Sequence, residues 1–256
     1  MPFHGSRLVV QPEFEKTFRA QGIERVADVA AKWAPGDGNR SRVAEVRLPH
    51  AGSTAHLFVK TYHYPGAWRL RTFLVPARVR REYRNLLGLH QLGLKVPPPV
   101  AYGESRSFGF LTDSFLVTEA VENAVDLREL AVNRAAAPFP LPGPKERRAL
   151  ITTFARSLRR CHDAGWFLHT AFFKNLLLSR DSGGYAIWVI DVPFAHIWRN
   201  RLMPERAKVR DFACLLKGAI KLLSRTERMR FCAAYGNVSP EFLKAVDAYR
   251  KRNYPE

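Results

Sequence analysis

The stretch Cys161-His-Asp-Ala-Gly165-Trp-Phe-Leu-His169-Thr170-Ala-Phe-Phe-Lys174-Asn175-Leu-Leu-Leu178, continued by Ser179-Arg-Asp-Ser-Gly183-Gly-Tyr-Ala-Ile187-Trp-Val-Ile190-Asp191, decides how this chain is read. It reads as a helix end, a loop carrying a side-chain amide, a hairpin turned by Arg180-Asp-Ser-Gly-Gly184, and a carboxylate closing an apolar strand. A purely structural Asp191 would bury its charge behind Ile187-Trp-Val-Ile190 without an evident partner. The competing reading is a helix N-cap before Pro193.

Towards the N-terminus, Val43–Leu48 and Ala55–Lys60 are β-like runs joined by Pro49-His-Ala-Gly-Ser-Thr54, a predicted hairpin with Lys60 at its end. From Val75 to Leu92 apolar residues recur at helical spacing, Glu82 lies among them, and Gly93 stops the helix before Lys95-Val-Pro-Pro-Pro99. Val100–Glu104, Phe108–Leu111 and Ser114–Glu119 complete a small sheet.

Beyond Asn123 helices are predicted over Leu127–Val132, Lys145–Ala164, Val209–Leu223, Thr226–Tyr235 and Pro240–Tyr249, broken by the proline-rich loop Ala135–Pro144 and the hairpin Leu176–Asp191. The expected fold class is α+β, two-lobed and protein-kinase-like. A small antiparallel sheet lobe with one helix spans 1–122, a mainly helical lobe spans 123–256, and a cleft lies between them.

With 46% hydrophobic and 25% charged residues in 256, the chain can bury a core and is neither disordered nor fibrous. Its apolar runs fall short of the ~20 residues of a membrane span, and Met1–Val10 lacks a signal-peptide core, so a cytoplasmic location is expected. Cys161, Cys214 and Cys232 lack the close pairing of a zinc or redox site and read as buried thiols. A formal charge of +18 draws the chain to polyanions: nucleic acid, anionic membrane or phosphorylated glycolipid. No motif specific for DNA or RNA accompanies it.

Four positions occur in the order that Mg-ATP binding requires: Lys60 at a strand end, Glu82 on the next helix, Asn175 on a loop and Asp191 after a strand. Singly, Lys60 reads as an edge-strand charge and Glu82 as part of a solvated helix face. Together, with Asn175 five positions after Thr170, they reproduce a catalytic-loop pattern in which an aspartate is followed five residues later by a metal-binding asparagine.

On these residues the chain resembles the bacterial lipopolysaccharide core kinases of the heptose and Kdo type, the WaaP/InaA-like group related to eukaryotic protein kinases. The resemblance runs through Phe58-Val-Lys60, Arg81-Glu82-Tyr-Arg-Asn85-Leu, Gly93-Leu-Lys-Val-Pro97, Cys161-His162-Asp-Ala-Gly165, Lys174-Asn175-Leu-Leu, Ile190-Asp191 and Arg210-Asp211-Phe-Ala-Cys-Leu-Leu. It implies a kinase-like fold, ATP and Mg2+ as cofactors, and a sugar hydroxyl of the inner lipopolysaccharide core as acceptor at the cytoplasmic membrane face. It further implies that Lys60 contacts phosphates, Glu82 orients Lys60, Asn175 and Asp191 hold the metal, and Asp211 braces the catalytic loop. Backbone around Glu119, Val121 and Glu122 would meet adenine. Gly36-Asp-Gly38-Asn-Arg40-Ser41 is either the segment covering the phosphates or an ordinary loop.

The chain departs from the pattern at Thr170, where the family's catalytic aspartate falls. His169 is the nearest titratable substitute, and its alternative role is packing beneath the loop. The expected function is therefore kinase activity weakened at its base, with a nucleotide-binding pseudokinase serving as regulator or scaffold as the alternative, and a polyanion binder with a vestigial site as the third reading. Trp68-Arg69-Leu-Arg71, Arg78-Val-Arg80-Arg81 and Trp198-Arg199-Asn-Arg201 suit a phosphate-bearing glycolipid and an anionic membrane surface as partners.

Overall fold

The computed structural model describes residues 5–33, 41–195, 202–236 and 238–255, without the side chain of Trp68. Most of the candidate phosphate-covering segment Gly36–Ser41, and all of Trp198–Arg201, lie outside the described residues. The chain divides into two units, Met1–Leu87 with Pro97–Ala120, and Gly88–Val96 with Val121–Glu256.

The first unit is a five-stranded antiparallel sheet of β1 (Gly5–Val10), β2 (Ser41–His50), β3 (Ser53–His63), β4 (Pro99–Ser107) and β5 (Phe110–Glu119), in the order β1-β4-β5-β3-β2. The β2–β3 hairpin turns on Ala51 and Gly52, both at positive φ, as a tight two-residue turn requires. β1 had no counterpart in the sequence reading; it pairs with β4 along its whole length.

Two short helices, α1 (Glu15–Ala20) and α2 (Val26–Trp33), add to the expected helix α3 (Arg78–Gln91). Phe14, Phe18, Ile23, Val26, Val29 and Trp33 form one core cluster with Leu48, Leu57, Val59, Val100, Ala101, Phe115 and Val117 of the strands. Burial of the larger of these side chains, each worth about 1.5–3 kcal/mol, fixes the register of the sheet. The run Phe108–Leu111, read as a strand start, is divided: Phe108 and Gly109 are the β4–β5 turn and the strand begins at Phe110.

The end of α3 and the following residues count with the second unit. There Gly93, at φ 75°, donates to His90 O at 2.9 Å while Leu94 donates to Leu89 O at 3.0 Å, the paired bonds of a helix C-terminus that needs a left-handed residue.

The second unit contains α4 (Leu127–Val132), α5 (Pro144–Asp163), α6 (Pro204–Leu222), α7 (Arg225–Tyr235) and α8 (Pro240–Asn253). A three-stranded sheet, β6 (Ala124–Asp126), β7 (Leu176–Asp181) and β8 (Gly184–Val189), is ordered β6-β7-β8. Pro144 opens α5, where no amide donor is needed, and Ser224 and Glu227 form a reciprocal capping box on α7. Phe212 of α6 meets the rings of Phe231, Tyr235 and Phe242 edge-on, joining α6 to α7 and α8. An apolar cavity of about 160 Å³ lies in this unit, with Leu130, Phe154, Leu215 and Phe231 among its walls. Among the described residues, no helix is long and apolar enough to cross a membrane.

Candidate active site

Lys60 lies on β3, opposite Val43 of β2 and Leu116 of β5, so it sits on an interior strand and is no edge-strand charge. Glu82, 1% exposed, is equally far from a solvated face. Lys60 Nζ donates to Glu82 Oε1 at 2.9 Å. A carboxylate this buried needs a cation, and this one has it; the pair leaves the ammonium held in one place and partly exposed.

In the helical unit the loop between α5 and β7 is built on Asp211 of α6, which is fully buried. Its two carboxylate oxygens accept from the successive amides of Leu168 and His169, each at 2.6 Å. Oδ2 also accepts from His162 Nε2 at 3.1 Å, so Nδ1 is left to accept from the Tyr235 hydroxyl at 2.7 Å. Burial pushes the Tyr235 phenol up, which keeps it a donor. Asp211 thus braces the loop through backbone amides. The His162–Tyr235 link, across 73 residues, had no signal in the sequence.

His169 is buried with φ 58°, a conformation its amide bond to Asp211 helps hold. Thr170 follows, and its Oγ1 lies 2.7 Å from Asp191 O and 3.2 Å from Leu168 O, both of which it can only reach as donor. Asn175 ends a 3-10 turn, Phe173–Asn175, that packs against α6 at Gly218. A Cβ on Gly218 would stand 2.2 Å from the Phe173 ring, so the close approach requires glycine.

Asn175 Nδ2 donates to Thr170 O at 2.8 Å, and Asn175 O accepts from Ile190 N at 2.9 Å. With the Thr170 bond to Asp191 O this closes a circuit through Thr170, Asn175, Ile190 and Asp191. The structure therefore brings Thr170, Asn175 and Asp191 together in one unit, as it does Lys60 and Glu82 in the other. Asp191 has φ 56°, a left-handed backbone of the kind found where a side chain must be aimed.

A backbone carbonyl accepts only from the amide nitrogen, so the Thr170 bond orients Asn175 with Oδ1 left over for a ligand. One amide oxygen and one carboxylate suit Mg2+, which keeps waters and takes further oxygens from phosphates rather than using an all-protein cage. Among the described residues, no group of three or more His, Cys, Asp or Glu side chains is placed to hold a metal ion.

Glu119 ends β5, its amide donating to Pro98 O at 2.9 Å; burial, reinforced by Glu13 and offset by His50, raises its carboxyl above the ordinary value. Val121 begins the next unit. Burial pushes the thiols of Cys161 and Cys214 up to about 12, which keeps both protonated and inert near neutral pH.

The Lipopolysaccharide kinase (Kdo/WaaP) family model matches residues 39–235. The chain belongs to that family. It is 29% identical over 241 residues to the lipopolysaccharide core heptose(I) kinase WaaP of Pseudomonas aeruginosa, spanning 90% of this chain and 86% of the relative. A solved structure of WaaP in complex with acyl carrier protein superposes with TM-score 0.69 at 24% identity, covering 97% of this chain and 99% of that one. This member of the Kdo/WaaP family therefore has the WaaP fold, α+β with antiparallel sheets.

Proposed function

We propose that this chain is an ATP-dependent kinase that phosphorylates a heptose or Kdo sugar of the lipopolysaccharide inner core. Family membership and the similarity to a heptose(I) kinase support the acceptor class. The observation that carries the ATP half of the reading is the Lys60–Glu82 ion pair at 2.9 Å, the arrangement that aligns a lysine on nucleotide phosphates.

In this reading Lys60 neutralises phosphate oxygens, Glu82 fixes its ammonium, and backbone near Glu119 and Val121 receives adenine. Asn175 Oδ1 and the Asp191 carboxylate would hold Mg2+, whose bound form supplies charge neutralisation on the phosphates. Thr170 and His169 act as positioning residues: the threonine ties Asn175 and Asp191 together, its carbonyl accepting from Asn175 and its hydroxyl donating to Asp191 O, and the buried histidine anchors the loop by its amide. Neither supplies a carboxylate base, a loss that lowers rates by ~10²–10⁴. Positioning and charge stabilisation dominate the loose transition state of phosphoryl transfer, so turnover persists at a reduced rate.

The test is transfer of labelled γ-phosphate from Mg-ATP to deacylated core oligosaccharide. Slow transfer, lost in Asp191→Ala, is expected; ATP binding without transfer to any core acceptor overturns the kinase reading. That outcome would favour the second reading, a nucleotide-binding pseudokinase acting as regulator or scaffold. The engagement of the Thr170 hydroxyl by Asp191 O supports it. It predicts thermal stabilisation by Mg-ATP with no turnover.

Two partners complete the proposal. Placement at the inner face of the cytoplasmic membrane follows from a glycolipid acceptor and a charge of +18. An acyl carrier protein, the partner named for the solved WaaP, is supported here by the apolar cavity, whose lining includes Arg134, Arg147 and Arg228 beside its aliphatic and aromatic walls. Co-purification of the chain with acylated carrier, lost on Ala219→Trp in the cavity wall, is the expected result.

A further inference from the structure

We propose that the 3-10 segment Gly66–Thr72, the following residues 73–75 and the β4–β5 turn form a platform that docks onto an anionic bilayer. This deepens the membrane-peripheral part of the proposed function and rests on it. Leu70 (68% exposed), Phe73, Leu74 (54%), Val75 and Phe108 (67%) are large apolar side chains open to solvent. They share one surface: the Leu74 amide donates to Gly109 O at 3.2 Å, and the Phe73 ring meets Phe110 at 4.9 Å.

The platform is braced from within. Arg106, itself buried, donates to Gly109 O at 2.8 Å, Val75 O at 2.6 Å and Thr72 O at 3.3 Å, so one guanidinium ties the loop to the turn. Thr72 Oγ1 adds a second tie, donating to Arg69 O at 2.6 Å and accepting from Leu111 N at 2.9 Å. Polar bonds to the backbone hold the shape while the apolar side chains stay outside.

Leu74 at φ 52° and Phe108 at φ 51° also occupy the left-handed region. Bulky residues avoid it, and Phe108 stands at a turn position where Asn, Asp or Gly is usual. The same two residues therefore combine backbone strain with apolar exposure, neither of which stabilises the fold. An occupant that buries both side chains accounts for the combination.

Charge selects the occupant. No acidic residue occurs between Glu45 and Glu82, whereas Arg69 and Arg71 flank Leu70; Glu104, which faces Arg80 and Arg106, is buried at 3% exposure. At a net charge of +18 a second copy is repelled and an anionic bilayer attracted. Aromatic and aliphatic loop tips interleaved with arginine are the composition of an interfacial anchor.

The test is flotation of the full chain with phosphatidylethanolamine–phosphatidylglycerol vesicles and with neutral phosphatidylcholine vesicles, comparing wild type with Leu74→Asn/Phe108→Asn. Asn tolerates left-handed φ, so the double variant is expected to melt at or above the wild-type temperature. Its partition onto anionic vesicles is expected to fall roughly tenfold or more. Arg69→Gln/Arg71→Gln is expected to weaken binding severalfold, most at low salt.

Equal binding by wild type and Leu74→Asn/Phe108→Asn, equal wild-type binding to neutral vesicles, or a lower melting temperature in that variant overturns the proposal. So does wild-type dimerisation through this surface without vesicle binding. Transfer to soluble deacylated core is measured in parallel and is expected to be unchanged by the double variant. Absence of transfer in the wild type counts against the kinase reading alone, because vesicle binding is scored without an acceptor.

Discussion

Glu82 in the sheet unit and Asp211 in the helical unit are both buried carboxylates, but they are satisfied in different ways. Glu82 accepts from the Lys60 ammonium at 2.9 Å, and in doing so positions a charge. Asp211 takes two backbone amides and an imidazole, and positions a loop. The difference teaches where this chain has kept its chemistry. Both devices that hold groups in place are intact, while the position on the braced loop to which the resemblance assigns a carboxylate base holds Thr170, whose hydroxyl donates to Asp191 O.

The largest expected effect comes from restoring that carboxylate. Thr170→Asp is expected to raise phosphate transfer by ~10²–10⁴ if the braced loop presents position 170 to the acceptor. Steady-state kinetics with deacylated core measures it, with Thr170→Asn as the uncharged control. An unchanged rate in Thr170→Asp would mean that the loop has lost more than its base.

Next is the brace itself. Asp211→Ala leaves two buried amides and the His162 imidazole without their acceptor and is expected to destabilise the chain by about 3–5 kcal/mol, read from urea unfolding. Asp211→Asn, which keeps one carbonyl oxygen, should lose less. Lys60→Met follows. It is expected to lower turnover by ~10²–10³, as loss of one preorganised charge typically does, and to abolish the thermal shift given by Mg-ATP. Because Lys60→Met also strands the Glu82 carboxylate, Lys60→Met/Glu82→Gln separates the two effects: stability returns and turnover does not.

The parts of this comparison that were legible in the sequence share a physical cause. β2, β3, α3 and α5 carry strong periodicity, and Gly93 and Pro144 mark where helices must stop and start. Lys60, Glu82, Asn175 and Asp191 were readable because their order along the chain matches the order of the elements that carry them. What escaped depends on contacts between distant segments. Gly218 reads as a weak point in a helix until the Phe173 ring is placed against it. Tyr235 reads as the last residue of a helix until its hydroxyl meets His162. Phe108 carries a strand signal, an aromatic residue in an apolar run, and nothing in that residue type announces the left-handed backbone that reverses the chain there.

A third carboxylate, less buried than Asp211 and apart from the Lys60–Glu82 pair, gives the smallest effect. Glu227 accepts from Arg147 Nε at 2.7 Å, and that bond, aided by the Ser224 amide and opposed by partial burial, holds its carboxyl down at about 2. Unfolding releases it to an ordinary value near 4.5. The unfolded chain therefore binds a proton at a pH where the folded chain does not, so stability rises with pH through this window. The contribution is complete above the unfolded value and is lost as pH falls through the folded one. Urea midpoints of wild type and Glu227→Gln, compared between about pH 6 and pH 3, are expected to differ most at the upper end and to converge towards the lower.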